Sequence, residues 1–363
     1  MMSCINDVVN EIQSTINSVN FNKIYKYFPM QKIAIYNDGF LYVGDKAIKF
    51  QNNIRESIKD CSEYVVINYE SLEQDTILNV GKFIRKMIIN NFYKHHDKRI
   101  PNDLIALRYP HIFLNYDYMS YEKQLILKAL SAKDNYLKLN HFRMFLNVRD
   151  LRRQMIGNEF SMLEYNLETI EGLAQYISYK VIESLDKAKG KEFYKKIVNK
   201  FSVVNREYFD FHNANYNIGY LMSIVMVDLG IDISELLETD NTLYQFATSK
   251  IKFIREPISY RSDKALIENI RKYEEDVSEK FTLFFENNPE RVHGSFQIFA
   301  YDPTRIFVDK DNLYHESFVV LKNLLNNELI KLDGPVITKV LENSIDIVTS
   351  YHYLSKKKKK SKK

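Results

Sequence analysis

The chain is poor in glycine and proline, the two residues that most often interrupt regular secondary structure. Only 10 glycines and 7 prolines occur among its 363 residues. Because few positions favour tight turns, the sequence predicts long helices and argues against a β-sandwich or a β-barrel. Apolar residues make up 45% of the chain and charged residues 27%, a composition typical of a globular protein with two or three packed subdomains.

The net charge of +4 is set by the end of the chain, which reads SKKKKKSKK. Without the seven lysines between Lys356 and Lys363, 44 basic residues face 47 acidic residues, so the body is slightly acidic. This balance predicts no specific nucleic-acid-binding domain. We expect a disordered tail that attracts anionic surfaces, nucleic acid or lipid, weakly and in a salt-sensitive way.

Cysteine usage and the start of the chain predict a cytoplasmic protein. Cys4 and Cys61 are the only cysteines, and two thiols in a long chain are typical of a reducing compartment. The opening stretch MMSCINDVVNEIQSTI carries acidic residues and lacks the apolar region of a signal peptide. No run of about 18 apolar residues occurs, so we expect no membrane span.

Hydrophobic periodicity divides the chain into three parts and a tail, and predicts a predominantly helical α+β fold. Residues 1–75 combine a first helix with a small sheet, in which Asn37-Asp38-Gly39 marks a hairpin. Residues 76–255 form a helical core, with helices expected at 75–99, 118–132, 136–157, 161–180 and 217–230. Residues 256–354 mix strand and helix, and they begin with an exposed helix that carries oppositely charged residues at i, i+4 spacing. Residues 355–363 form the lysine-rich tail.

Carboxylates accompany the apolar stripe of the helix expected at 161–180, SMLEYNLETIEGLAQYISYK. Its apolar residues recur at spacings of three and four, whereas Glu164, Glu168 and Glu171 follow the flank of the same stripe. Carboxylates this close to a buried face need a cation, a metal or water. The preceding helix, 136–157, is rich in arginine, and we expect these arginines on its exposed side.

The order of these segments, and above all the motif ETIEGLAQY at residues 168–176, resembles bacterial zinc metallopeptidases of the gluzincin kind. The resemblance is diffuse and runs from about residue 60 to residue 340. It implies a zincin-like fold, with the small sheet at the N-terminus and the mixed portion at the C-terminus. In such enzymes a His-Glu-x-x-His helix and a later glutamate hold zinc. By position, Glu171 matches that glutamate, and Glu168 matches an accompanying carboxylate.

The chain departs from this family where the His-Glu-x-x-His helix is expected. That position reads RKMII, so Arg85 and Ile89 replace both histidines and Lys86 replaces the general base. Arginine and isoleucine do not ligate zinc, and a protonated lysine is no base. No His-x-x-x-His occurs anywhere in the chain. The resemblance therefore implies a vestigial site with no catalytic residue, no metal and no cofactor, from which zinc has been lost.

Arg85 offers a replacement for the missing metal. If the fold is kept, its guanidinium points to the place of zinc and reaches Glu171 and, one turn earlier, Glu168. The alternative is that Arg85, Glu164 and Glu168 simply face solvent. The resemblance also implies that Tyr176, His212, Tyr216 and Tyr220 line the former cleft.

Other candidate sites are weaker. His95, His96 and Asp97 are adjacent on a helix and point in different directions, so we expect an exposed helix end there rather than a metal site. The chain has no Gly-x-Ser-x-Gly elbow and no Walker or Rossmann glycine pattern.

The functional expectation is a catalytically inactive, metallopeptidase-like protein that binds a peptide or a protein through the former cleft. Two alternatives remain open. One is an active hydrolase with a relocated site around Glu168, Glu171 and His212. The other is an adaptor that its lysine tail tethers to nucleic acid or membrane.

Overall fold

The computed structural model describes residues 2–49, 64–95, 103–203, 211–258, 262, 264–303, 305–342, 344 and 346–355. The lysines of the predicted tail, and His96 and Asp97 of the weak metal candidate, lie outside these ranges.

Helix α1 (Met2–Asn17) packs on a four-stranded sheet at the start of the chain. The strands are β1 (Lys32–Asn37), β2 (Phe40–Val43), β3 (Lys46–Lys49) and β4 (Tyr64–Asn68). Their order is β3-β2-β1-β4, and β4 runs parallel to β1 while the other pairs are antiparallel. The predicted hairpin is confirmed, because Asp38 and Gly39 join β1 to β2 with positive φ angles of 46° and 80°.

The middle of the chain is helical, as predicted. Its helices are α2 (Thr76–His95), α3 (Asp103–Ala106), α4 (Phe113–Ser131), α5 (Asn135–Ile156), α6 (Asn158–Leu167), α7 (Leu173–Leu185), α8 (Lys187–Ser202), α9 (Phe211–Asp228) and α10 (Leu243–Lys250). A π-helical turn, Glu168–Gly172, joins α6 to α7. Asp75 caps α2, because its carboxylate accepts the backbone N–H groups of Ile77 and Leu78.

One hydrophobic core joins the N-terminal sheet to the helices. It extends from Ile5 on α1 to Ile251 just after α10, and it includes the buried faces of α2, α7 and α9. Helix α9 is buried along most of its length, and its sequence is nearly continuously apolar from Ile218 onward. This core crosses the boundary placed at residue 75, and the division into subdomains remains a prediction.

Helix α11 (Lys264–Glu286) and a seven-stranded antiparallel sheet form the C-terminal part. The strands are β5 (Glu290–Tyr301), β6 (Ile306–Asp309), β7 (Asn312–His315), β8 (Phe318–Asn323), β9 (Leu329–Asp333), β10 (Val336–Val340) and β11 (Ile347–Tyr353). Their order is β6-β7-β10-β11-β5-β8-β9. The helix carries the expected i,i+4 ion pairs, Lys272 with Glu268 and Arg271 with Glu275.

The α+β class is confirmed, but the expectation of few tight turns is wrong for this C-terminal part. Several of its turns place a residue other than glycine at positive φ, namely Asn288, Lys310 and Asn327. Asparagine tolerates this conformation because its short side chain can bond locally. Counting glycines therefore underestimated the number of hairpins that the chain can form.

Among the residues that the structure describes, no helix is long and apolar enough to cross a membrane.

Candidate functional site

The stretch 161–180 is not the single regular helix that its periodicity predicts. Helix α6 ends at Leu167, the π-helical turn occupies Glu168–Gly172, and α7 continues from Leu173. A π turn inserts one extra residue, so the side chains before and after it rotate relative to each other. Within the turn, the two glutamates of ETIEG point in different directions: Glu168 points into the protein, while Glu171 remains partly exposed.

Close contact between two backbones accompanies the π turn. A Cβ on Gly219 would lie 2.1 Å from the carbonyl oxygen of Glu168, and a Cβ on Gly172 would lie 2.5 Å from the Gly219 Cα. Real Cβ atoms do not approach other atoms this closely, so both positions require glycine. The glycine of ETIEG therefore serves the packing of the turn against α9.

A buried charge cluster lies on the inner side of the turn. It comprises Glu122 of α4, Arg149 and Arg152 of α5, Glu164 of α6 and Glu168, all with at most 1% of their surface exposed. Arg149 donates to both oxygens of Glu168, at 2.5 and 2.8 Å. Arg152 donates to Glu164 at 2.6 and 2.7 Å and to Glu122 at 2.7 and 3.2 Å. Each carboxylate is held in the bidentate geometry that makes such pairs strong.

Two polar neighbours complete the buried charge cluster. The Tyr109 hydroxyl donates to Glu164 and accepts from Arg152 at 3.1 Å, and the Asn115 side-chain oxygen also accepts from Arg152 at 3.1 Å. Both side chains are buried. A buried charge is tolerated only when its hydrogen-bonding groups are satisfied, and these contacts meet that requirement for Arg152.

These contacts correct two sequence-based expectations. Arg149 and Arg152 do not lie on the exposed side of their helix, and Glu164 and Glu168 do not face solvent. The arginines and glutamates are buried together because α5 packs against α6 and the π turn. Each buried charge is tolerated because an opposite charge lies beside it in the interior. Glu168 also does not pair with Arg85, because Arg149 occupies both of its oxygens.

The buried charge cluster holds three carboxyl groups and two guanidinium groups. Burial raises the pKa of the Glu168 carboxyl to about 8, against the opposing effect of Arg149. Burial also disfavours the charged form of Arg149, but Glu168 and Glu122 outweigh it and raise the pKa of Arg149. A proton on Glu168 would leave the cluster with balanced charges.

We expect this proton to make stability depend on pH. Between the ordinary carboxyl pKa of 4.5 and about 8, the folded state holds a proton on Glu168 that the unfolded state releases. The contribution of Glu168 is therefore fully present below about pH 4.5, falls by up to about 1.4 kcal/mol per pH unit, and is lost above about pH 8. Urea denaturation of wild type and Glu168→Gln across this range measures it, and the variant's profile should be flatter.

A control for this pH effect is Glu73→Gln. The exposed Glu73 is paired with Lys82, whose hydrogen bond and charge lower the pKa of Glu73. Above about pH 5, its removal should leave the slope unchanged. Parallel profiles for wild type and Glu168→Gln would contradict the assignment of the proton to Glu168.

The predicted contact between Arg85 and Glu171 is present on the outer side of the π turn. The Nη2 and Nε atoms of Arg85 donate to Glu171 Oε2 at 2.7 and 3.2 Å. The side chain of Arg85 is 39% exposed and that of Glu171 is 15% exposed, so solvent reaches the pair. The guanidinium carbon lies 5.6 Å from the centre of the Tyr216 ring, which adds a cation–π contact.

The other residues of the RKMII segment have structural contacts. The Lys86 amine donates to the carbonyl of Val66 on β4, so it ties α2 to the N-terminal sheet. Ile89 is half-buried and packs against the main core. The positions that would carry a general base and a second zinc ligand in the resembled family therefore stabilise α2.

Of the four residues expected to line a cleft, only Tyr216 is partly exposed beside the Arg85–Glu171 pair. Tyr220 is fully buried and Tyr176 is 5% exposed, because both belong to the apolar faces that form the core. His212 lies in the first turn of α9, and it is 8% exposed beside the rings of Phe211 and Tyr216. The expected cleft lining is therefore corrected for Tyr176, His212 and Tyr220, all of which are buried.

The donor atoms at this position do not fit zinc. Glu171 is the only ligand-type side chain among Arg85, Ile89 and Glu171, and its charge is already met by Arg85. Within the described part of the chain, no group of three or more His, Cys, Asp or Glu side chains is placed to hold a metal ion.

Comparison with known proteins adds no family assignment. No protein-family model, no curated protein and no solved structure matches the chain. The resemblance to zinc metallopeptidases therefore rests on the sequence motifs alone.

Proposed function

We propose that the chain is a non-catalytic, zincin-like protein that binds a peptide or a protein segment at the surface around Arg85, Glu171 and Tyr216. The observation that carries the proposal is the contact between Arg85 and Glu171. This contact joins the ETIEGLAQY motif, which resembles the metallopeptidase family, to helix α2, which lacks the zinc ligands. An arginine on the surviving glutamate supports the exchange of a metal site for an ion pair.

The chemistry of this surface suits a polypeptide. Glu171 accepts hydrogen bonds from Nε and Nη2 of Arg85. Within the described ranges, Nη1 of Arg85 donates to no protein group. A peptide carbonyl or carboxylate is the acceptor that such a donor binds. The neighbouring Tyr216 ring offers an apolar surface to a side chain of the partner.

The alternative of an active hydrolase with a relocated site is less well supported by the geometry. Glu168 is fully buried and both of its oxygens are bound by Arg149, so it does not contact a substrate. Glu171 is salt-bridged to Arg85, which removes the free carboxylate that a general base requires.

A binding pair and a structural pair differ in their effect on stability. We expect Arg85→Ala to lower the free energy of unfolding by less than about 1 kcal/mol, because the ion pair is partly exposed and solvent screens it. Thermal and urea denaturation measure this change. A loss of more than about 2 kcal/mol would show that the pair mainly holds the fold together.

Selection from a display library of random peptides tests the proposed binding. We expect peptides selected by the wild type to bind at least about tenfold more weakly to the charge-swapped variant Arg85→Glu/Glu171→Arg, which can keep the ion pair but reverses its polarity. The matched control is Lys82→Glu/Glu73→Lys, which swaps a nearby exposed pair that also involves α2. Absence of any selected peptide, or equal binding by wild type and the charge-swapped variant, would contradict the proposal.

A further inference from the structure

A second surface, independent of the Arg85–Glu171 pair, collects lysines and tyrosines. It is an open groove of about 510 Å³ where α7 and α8 meet the turn after α1. Its walls include four lysines and two tyrosines: Lys23, Lys180, Lys187, Lys191, Tyr179 and Tyr194. We call this surface the lysine groove.

The lysine groove has an excess of positive charge. Among the residues that the structure describes, Glu183 is the only acidic one in its wall. It is already engaged by Lys180 and by the Tyr179 hydroxyl, the latter at 2.8 Å. Burial opposes ionisation of Glu183, but the hydrogen bonds from Lys180 and Tyr179 prevail and lower its pKa. Within the described ranges, Lys23 and Lys191 form no salt bridge, so their charges remain available to a ligand.

The positive charge continues along α8 beyond the groove. Lys187, Lys191 and Lys195 are exposed and follow one another at intervals of four residues, so they share one side of the helix. Successive lysines rise by about 6 Å along the helix axis. Residues 180–200 hold seven lysines against three acidic residues, although the chain without its tail is slightly acidic. The sequence of α8 and the end of α7 therefore concentrates basic residues locally, which the overall composition does not reveal.

Aromatic rings lie beside these charges. Tyr179 and Tyr194 are half-buried, with ring centres 6.3 Å apart. Rings recessed in a basic groove are suited to stacking with flat bases. A lipid surface would instead be met by apolar side chains that protrude from a basic face.

We propose that the lysine groove binds single-stranded nucleic acid without sequence preference, with α8 lysines on the phosphates and the two tyrosines beside the bases. Contacts of these kinds carry little sequence information, because every nucleotide has a phosphate and every base has a flat face. The expected partner is therefore any single-stranded nucleic acid rather than a particular sequence.

Fluorescence anisotropy with a labelled oligothymidylate tests this proposal on the full chain. The double variant Lys187→Glu/Lys191→Glu should bind at least about tenfold more weakly than the wild type. The slope of log K against log salt should decrease in magnitude by about 1.4, the value for two lost phosphate contacts. The matched control is Lys331→Glu/Lys339→Glu, which changes two exposed lysines of the C-terminal sheet by the same charge and should alter affinity by less than about twofold. The lysine tail is present in all three proteins, so its contribution cancels.

Three results would overturn the proposal. They are the absence of binding by the wild type, equal weakening by both double variants, and binding to phosphatidylserine vesicles without binding to the oligonucleotide. An abasic oligomer of the same length separates stacking from charge and should bind at least about fivefold more weakly. Equal binding of the abasic oligomer would exclude a contribution from Tyr179 and Tyr194.

Discussion

Replacing Arg152 with alanine should lower the free energy of unfolding by about 3–5 kcal/mol. The guanidinium of Arg152 holds both Glu122 and Glu164, and neither carboxylate has any exposed surface. Alanine would leave these two groups in the interior without their main cation and would also leave a cavity. The expected loss is a large fraction of the stability of an ordinary domain, so the variant should unfold at much lower urea concentration.

The adjacent arginine provides a matched control for this prediction. Arg153 lies on the same helix, but it is 37% exposed and contacts an aspartate, Asp150, that Arg255 also binds. Arg153→Ala should therefore cost less than about 1 kcal/mol. Equilibrium urea denaturation compares both variants with the wild type. Equal losses for the two variants would contradict the central place of Arg152 in the buried charge cluster.

Replacing Gly219 with alanine should cost about 3 kcal/mol or more, because the added methyl group has no space. It would lie 2.1 Å from the carbonyl oxygen of Glu168, which belongs to the backbone and not to a flexible side chain. Relief requires α9 to move away from the π turn. That movement would disturb Glu168 on one side of the turn and Glu171 on the other.

The control for this prediction is Asn217→Ala, two residues earlier on α9. Asn217 is half-buried, and alanine favours a helix more than asparagine does, so the change should be within about 1 kcal/mol. Thermal denaturation and the near-ultraviolet circular dichroism of both variants measure the outcome. A Gly219→Ala protein as stable as the wild type would mean that the two backbones are not in close contact.

The sequence predicted those parts of the fold that depend on local pattern. Apolar spacing of three and four located α1, α2, α5 and α9, and Asn37-Asp38-Gly39 located the first hairpin. The extent of the C-terminal sheet was not predicted, because strand pairing joins segments that are distant in sequence. Asp309, Asp311 and Asn312 do form a sequence signal for the turn between β6 and β7, although the positive φ of that turn falls on Lys310.

The spacing of Arg149 and Arg152 indicated that they are buried, although arginine is usually exposed. Arg149 and Arg152 continue the buried face begun by Phe142 and Phe145, at the same spacing of three and four. Treating every arginine as exposed placed them on the wrong side of α5. Glu122, the third carboxyl group of the buried charge cluster, lies on another helix, and no local pattern connects it to them.

The contact of Arg85 with Glu171 was predicted, but its isolation from Glu168 was not. Regular helix geometry places residues 168 and 171 on one face, so both appeared available to the same arginine. The π turn and the close approach of Gly219 separate them. Such a turn depends on packing between elements, which spacing within one helix does not encode.

Zinc binding by a variant with restored ligands tests most directly whether the Arg85–Glu171 pair stands where a metal site would be. The variant Arg85→His/Lys86→Glu/Ile89→His returns the ligand pattern to α2 opposite Glu171, and zinc is measured by elemental analysis and titration calorimetry. We expect well under one equivalent of zinc for the wild type. We expect about one equivalent for the variant, lost again when Glu171→Gln is added. Stoichiometric zinc in the wild type, or a restored variant that binds none, would show that the Arg85–Glu171 pair does not stand at the place of a metal site.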